Sequence, residues 1–155
     1  MTSTPLPSRE ALCGEAHARP LDARAQIAAA YACDRDGVEE EAVVFYDAAW
    51  KLGVPSEQRA EFLIGYGSTL KNVGRLDESL LILGQAITDG AFPNAARAFL
   101  ALTLQASGRS PEAIAELLSL LLEVGAQDAG LIRYRRSLSW YAGQLRASAE
   151  PGPEK

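Results

Sequence analysis

The sequence predicts an all-α fold: a right-handed helix-turn-helix solenoid of three repeats closed by a C-terminal capping helix, about seven helices in all. Three observations carry this expectation. The segment from Gly67 to Ser79 lines up with the segment from Ala101 to Ala113, and their turns, Gly74-Arg75 and Gly108-Arg109, stand 34 residues apart. An earlier copy runs from Tyr31 to Gly37, with Glu41-Ala42 following. Apolar residues recur at helical spacing between the arms, with no alternating run of strand length and no Asn-Gly hairpin turn.

Each copy has the same physical logic. A helix ends on a glycine, which takes the left-handed conformation at no steric cost. Five positions on stands a small residue, Ala42, Ser79 or Ala113, where the second helix comes close to the first. Four further come Tyr46, Leu83 and Leu117, and then Ala49, Ala86 and Leu120. Ser110-Pro111-Glu112 reads as an N-cap followed by proline at the first helical position. The pattern places helices over 21–36, 39–53, 57–73, 76–89, 93–107, 111–124 and 128–147. The last carries an apolar stripe at Leu131, Tyr134, Leu138, Tyr141 and Leu145, with its other faces expected to be polar. The organisation expected is a partly disordered arm over 1–20, the repeat domain over 21–148 and a flexible tail over 149–155.

Composition excludes several classes. The 155 residues are 48% apolar and 23% charged, a globular balance. The formal net charge of −5 argues against nucleic-acid binding by bulk attraction to phosphate. Charge is uneven, with acids concentrated between Asp34 and Glu61 and arginines in the last helix. No apolar run suits a signal peptide or a membrane span. Cys13 and Cys33 form no CxxC pair, and no histidine stands near them at metal-ligand spacing, so they read as reduced thiols of a cytoplasmic protein with no metal or cofactor.

Chemical motifs are sparse. Ser68-Thr69-Leu70-Lys71 matches S-x-x-K, but the S-D-N and K-T-G boxes of serine acyl-enzymes are absent. Gly65-x-Gly67 continues a helix instead of opening one after a strand, and Leu70 takes the third glycine position. His17, the only histidine, reads as solvated, and Glu39-Glu40-Glu41 as acids at the positive end of a helix. No catalytic residue is expected.

The motifs Leu63 to Arg75, Ala98 to Leu102, Gly108-Arg109 and Glu112-Ala113 resemble the tetratricopeptide repeat superfamily, and within it a bacterial group of small three-repeat proteins. The resemblance implies a concave groove, lined by the first helix of each pair, that holds a peptide or partner helix. It places in that groove Ile27 and Tyr31; Ile64, Ser68, Lys71 and Asn72; Ala98, Leu102 and Gln105; and Ile132, Arg136 and Trp140. The carboxylate clamp of the co-chaperone members is missing, because the corresponding sites hold Ile27, Tyr31, Gly65, Ala95 and Phe99. The expected function is a non-catalytic protein-binding module, with no nucleic-acid or membrane partner. The alternative is a homo-oligomer stacked through the solenoid ends, acidic first third against basic last helix.

Overall fold

The computed structural model describes residues 7–149 and forms eight helices among them, with no strand. They are α1 (Arg9–Ala18), α2 (Ala23–Arg35), α3 (Glu39–Leu52), α4 (Arg59–Asn72), α5 (Leu76–Asp89), α6 (Pro93–Ala106), α7 (Ser110–Val124) and α8 (Ala129–Ala149). The chain divides into two compact units, Met1–Arg75 and Leu76–Lys155. Within each, successive helices pack on one another, the construction of a helical repeat solenoid. No described helix is long and apolar enough to cross a membrane.

The three repeat glycines set the local geometry. Gly37, Gly74 and Gly108 have φ of 71°, 80° and 77°. After each, the next amide reaches five residues back: Val38 to Cys33 at 2.9 Å, Arg75 to Leu70 at 2.8 Å and Arg109 to Leu104 at 2.9 Å. The glycine amides close on Asp34, Lys71 and Gln105 at 3.0 to 3.1 Å. One turn, used three times, thus satisfies the last carbonyls of α2, α4 and α6, and at Gly37 and Gly108, each inside one unit, fixes where the next helix starts.

In the first unit α2 packs on α3, α1 packs on α2, and α4 contacts both α2 and α3. The α2 stripe is built from alanines: Ala25, Ala29, Ala30 and Ala32 are buried around Ile27. Large side chains enter from α3 and α4, where Phe45, Tyr46, Phe62, Leu63, Tyr66 and Leu70 are buried. Tyr46 lies between the Phe62 ring, at 5.3 Å edge-on, and the Tyr66 ring, stacked at 5.4 Å. Trp50 is 37% exposed and its ring lies parallel to that of Phe62, with the Arg59 guanidinium over it at 5.5 Å.

Helix α1 departs from the sequence expectation of an irregular arm and raises the helix number from seven to eight. Ser8 caps it by accepting from the Ala11 amide at 3.2 Å. Its packing face is made of Cys13 and Ala16, too small to register as an apolar stripe, so periodicity does not reveal it. Gln26 ties its end to α2 by donating to the Ala16 carbonyl at 2.8 Å. The expected arm residues 1–6 and tail residues 150–155 lie outside the described residues.

In the second unit α5, α6, α7 and α8 pack in succession. Ala101, Leu104 and Ala113 form a buried cluster, flanked by Leu80 and Leu100. The Ser79 and Thr103 hydroxyls bond each other at 2.9 Å where α5 meets α6. Arg97 on α6 holds α7 through Glu116 at 2.5 Å and Glu123 at 2.5 Å. The expected Ser110 cap is not made. Ser110 is the first residue of α7, and Arg109 before it forks onto Glu112 with two 2.6 Å bonds. Leu117 holds the repeat position of buried Tyr46 and Leu83 but is exposed, because the buried face of α7 runs through Ala113, Ala115 and Leu122.

Ala113 lies in that cluster with its methyl group buried. Ala113→Leu overpacks it, and a denaturant titration followed by circular dichroism is expected to show a loss of about 1–3 kcal/mol. An unchanged midpoint would place Ala113 outside the close contact.

Candidate functional site

Of the twelve groove residues inferred from sequence, six fall in each unit; Ile27 is fully buried in the core of the first and lines no surface, and Ala98 of the second is half-buried. In the first, Tyr31, Ile64, Ser68 and Lys71 are half-buried and Asn72 is exposed. Lys71 Nζ donates to Asn72 Oδ1 at 2.7 Å, and Asn72 Nδ2 donates to Glu39 Oε1 at 3.4 Å. The S-x-x-K lysine is therefore directed at its neighbour.

The chemistry of this unit gathers around a residue that sequence reading did not single out. Asp34, one turn after Tyr31 on α2, accepts from Tyr46 Oη at 2.5 Å and from Thr69 Oγ1 at 2.8 Å. Gly65 makes the arrangement possible, since a β-carbon there would collide with the Tyr46 hydroxyl. Burial pushes the Asp34 carboxyl above its ordinary range, against the lowering effect of its two hydroxyl donors and with help from the Glu39 charge. Burial also raises the Tyr46 phenol, as do the bond to Asp34 and its charge. Tyr31 packs against Tyr46 at 6.1 Å between ring centroids. Its hydroxyl is buried with no hydrogen-bond partner, and burial pushes it up to about 12, followed by the Glu61 and Asp34 carboxylates. An unmade hydrogen bond of this kind costs about 1–3 kcal/mol.

In the second unit Leu102, Gln105, Ile132, Arg136 and Trp140 are all exposed. Arg136, Ser137, Trp140 and Tyr141 line an open hollow of about 420 Å³. The Trp140 and Tyr141 rings meet edge-to-face at 5.1 Å and are 59% and 57% exposed. Tyr134 and Tyr141 therefore do not join the packing stripe of α8 expected from sequence. That helix packs through Ala142 and half-buried Leu131, Leu138 and Leu145. Two arginines add to the hold: Arg135 donates to the Leu122 carbonyl at 2.8 Å and Arg146 to Ser119 Oγ at 2.7 Å. The contact line keeps Leu131, Leu138 and Leu145 of the expected stripe but takes Arg135 and Ala142 in place of Tyr134 and Tyr141, and it turns an aromatic face outward where polar faces were expected. The period of three and four could not reveal this, because both faces of α8 carry apolar residues.

The two cysteines, unrelated in sequence, meet in the fold. Cys13 Sγ on α1 lies 3.6 Å from Cys33 Sγ on α2, and both are buried. Burial is the main cause raising both thiols, Cys33 to about 12. His17, expected to be solvated, is exposed at the surface end of α1 with its ring 5.5 Å from that of Phe45.

Residues 23–145 match the family described as tetratrico peptide repeat. The chain belongs to this family, whose repeats are interaction scaffolds. Neither a curated protein nor a solved structure matches the chain.

A pH test follows from Asp34. Its carboxyl is raised in the folded state, so its contribution is full below the unfolded carboxylate range and is lost as pH rises through the folded value. The wild-type melting midpoint is expected to fall relative to that of Asp34→Asn as pH rises from the acid range toward neutrality. A difference independent of pH would mean that burial does not govern this carboxyl.

Proposed function

We propose that this protein is a non-catalytic adaptor that holds an acidic or C-terminal peptide segment of a partner protein against α8. The observation that carries the reading is the exposed Arg136-Trp140-Tyr141 hollow. A guanidinium can fork onto a carboxylate. The adjoining indole and phenol offer broad apolar surface with hydrogen-bonding edges, the chemistry enriched where interfaces concentrate their energy. Arg135 and Arg146 are engaged with α7 and Arg133 stands over Tyr134, which leaves Arg136 as the arginine of this helix that lines the hollow with Trp140 and Tyr141. In the first unit the half-buried Tyr31 is a second candidate contact through the exposed part of its ring, its hydroxyl being buried. Ile64, Ser68, Lys71, Asn72, Leu102, Gln105 and Ile132 complete the proposed binding set. The proposed setting is the cytoplasm, with no nucleic acid or membrane involved.

Self-association is a second reading. Ile114, Leu117, Leu121 and Val124 form an exposed apolar stripe along α7. Light scattering would separate its two forms. Contact through this stripe resists added salt, whereas stacking of the acidic first third on the basic last helix weakens with it.

Selection from a displayed peptide library against the purified protein tests the adaptor reading. Selected peptides are expected to be acidic or to end in a free carboxylate. Arg136→Glu should weaken them by about tenfold or more, the loss of a charge-assisted bond. Arg133→Glu should matter little, because that guanidinium stands over the Tyr134 ring at 5.9 Å. Equal losses from both substitutions would show that only overall charge is sensed. No loss from either would remove α8 as the binding surface.

A further inference from the structure

The juxtaposed thiols of α1 and α2 have a third companion. A carboxylate oxygen of Glu41, in the first turn of α3, lies within 4.8 Å of both Cys13 Sγ and Cys33 Sγ. Three helices thus deliver two sulfurs and one oxygen to one point. Neither sulfur is open to solvent, at 7% and 0% exposure for the two residues, while Glu41 reaches the surface side of the cluster. Arg9 stands behind the carboxylate, its Nη1 3.4 Å from Glu41 Oε2 and its Nε 3.9 Å from Asp36 Oδ2.

We infer that Cys13, Cys33 and Glu41 form a binding site for a borderline-soft divalent cation of the zinc type. Two sulfurs, each about 2.3 Å from a tetrahedral zinc ion, stand about 3.8 Å apart. Cys13 and Cys33 already hold theirs at 3.6 Å, whereas a disulfide would require a further approach to about 2.0 Å. The donor set is the mixed thiolate and carboxylate type that zinc accepts. Binding moves no electrons. The two thiol protons leave to solvent, and two metal–sulfur bonds and one metal–oxygen bond form. Two thiolates, one carboxylate and a divalent ion sum to a single negative charge, which the Arg9 guanidinium offsets. Arg9 then serves as the outer partner that orients a ligating carboxylate. The fourth position falls to water on the Glu41 side, since the other side is closed by the buried face of α2.

The site ties α1 to α2 and α3, and its occupancy is expected to stabilise the fold by mass action. It involves none of the α8 residues proposed for partner binding, so the two readings stand or fall separately.

The test uses the full-length protein, reduced and stripped with a chelator, titrated with cobalt(II) and then zinc(II). One equivalent of cobalt should produce a sulfur-to-metal charge-transfer band and the strong visible absorption of a tetrahedral ion, and zinc should displace it. Zinc binding should release about two protons, measured in weak buffer, a readout that needs no variant. Cys13→Ala and Cys33→Ala should each weaken binding more than about 100-fold while the helical circular dichroism persists. Glu41→Gln should keep a sulfur band with affinity reduced about 10- to 100-fold. The inference is overturned if reduced wild-type protein gives no sulfur band, if the band survives in both cysteine variants, or if the thiols yield only a disulfide under mild oxidation and bind no metal after reduction.

Discussion

The glycine turn is the constraint on which the other contacts depend. At Gly37, Gly74 and Gly108 the chain adopts a positive φ, and the following amide reaches back over five residues. At Gly37 and Gly108, each inside one unit, this fixes both the end of one helix and the rotation with which the next one starts. Every side chain of the following helix inherits its facing from that closure. In the first unit the turn at Gly37 presents Ala42, Tyr46 and Ala49 to the interior. In the second the turn at Gly108 presents Ala113, next to Ala101 and Leu104. A β-carbon at the glycine would put strain at the point where two helices take their register.

Small residues set the second layer of control. The alanine face of α2 lets neighbouring helices approach closely, and the aromatic side chains of α3 and α4 fill the volume this leaves. Gly65 extends the same logic to a polar contact. Its missing side chain admits the Tyr46 hydroxyl, which together with Thr69 holds the half-buried Asp34 carboxylate. Ser79 and Thr103 make a comparable buried pair between α5 and α6. Each unit therefore encloses polar groups that satisfy one another, a device that fixes register more sharply than apolar contact alone.

The repeat was legible because its signals are local. The glycines, the small residues five positions on and the proline starts all act within a turn or two of chain. Seven of the eight helices follow from them, with boundaries displaced by a few residues at most. Helix α1 was not legible, since Cys13 and Ala16 give no large apolar period. The facing of α8 was misjudged for the opposite reason: Leu131, Tyr134, Ile132, Trp140 and Tyr141 supply apolar residues on more than one side. Long-range meetings were hidden altogether. Nothing in the chain spacing announces that Cys13 meets Cys33, or that Asp34 lies under Tyr46 and Thr69. Tyr31 was expected on the groove surface, and the burial and solitude of its hydroxyl emerge only when its neighbours are placed.

Helix α1 is held differently from the rest. It buries two small side chains and is pinned at its end by the Gln26 bond to the Ala16 carbonyl and along its length by the Arg9 ion pair. Little apolar area is lost if it lifts away, so it forms the shallowest step in the unfolding ladder of the first unit. Its amide protons are accordingly the first helical ones in that unit to exchange with solvent, well before those of α3 and α4, whose aromatic contacts open only when the unit as a whole does. The N-terminal helix thus depends on a few specific polar ties more than on buried apolar area.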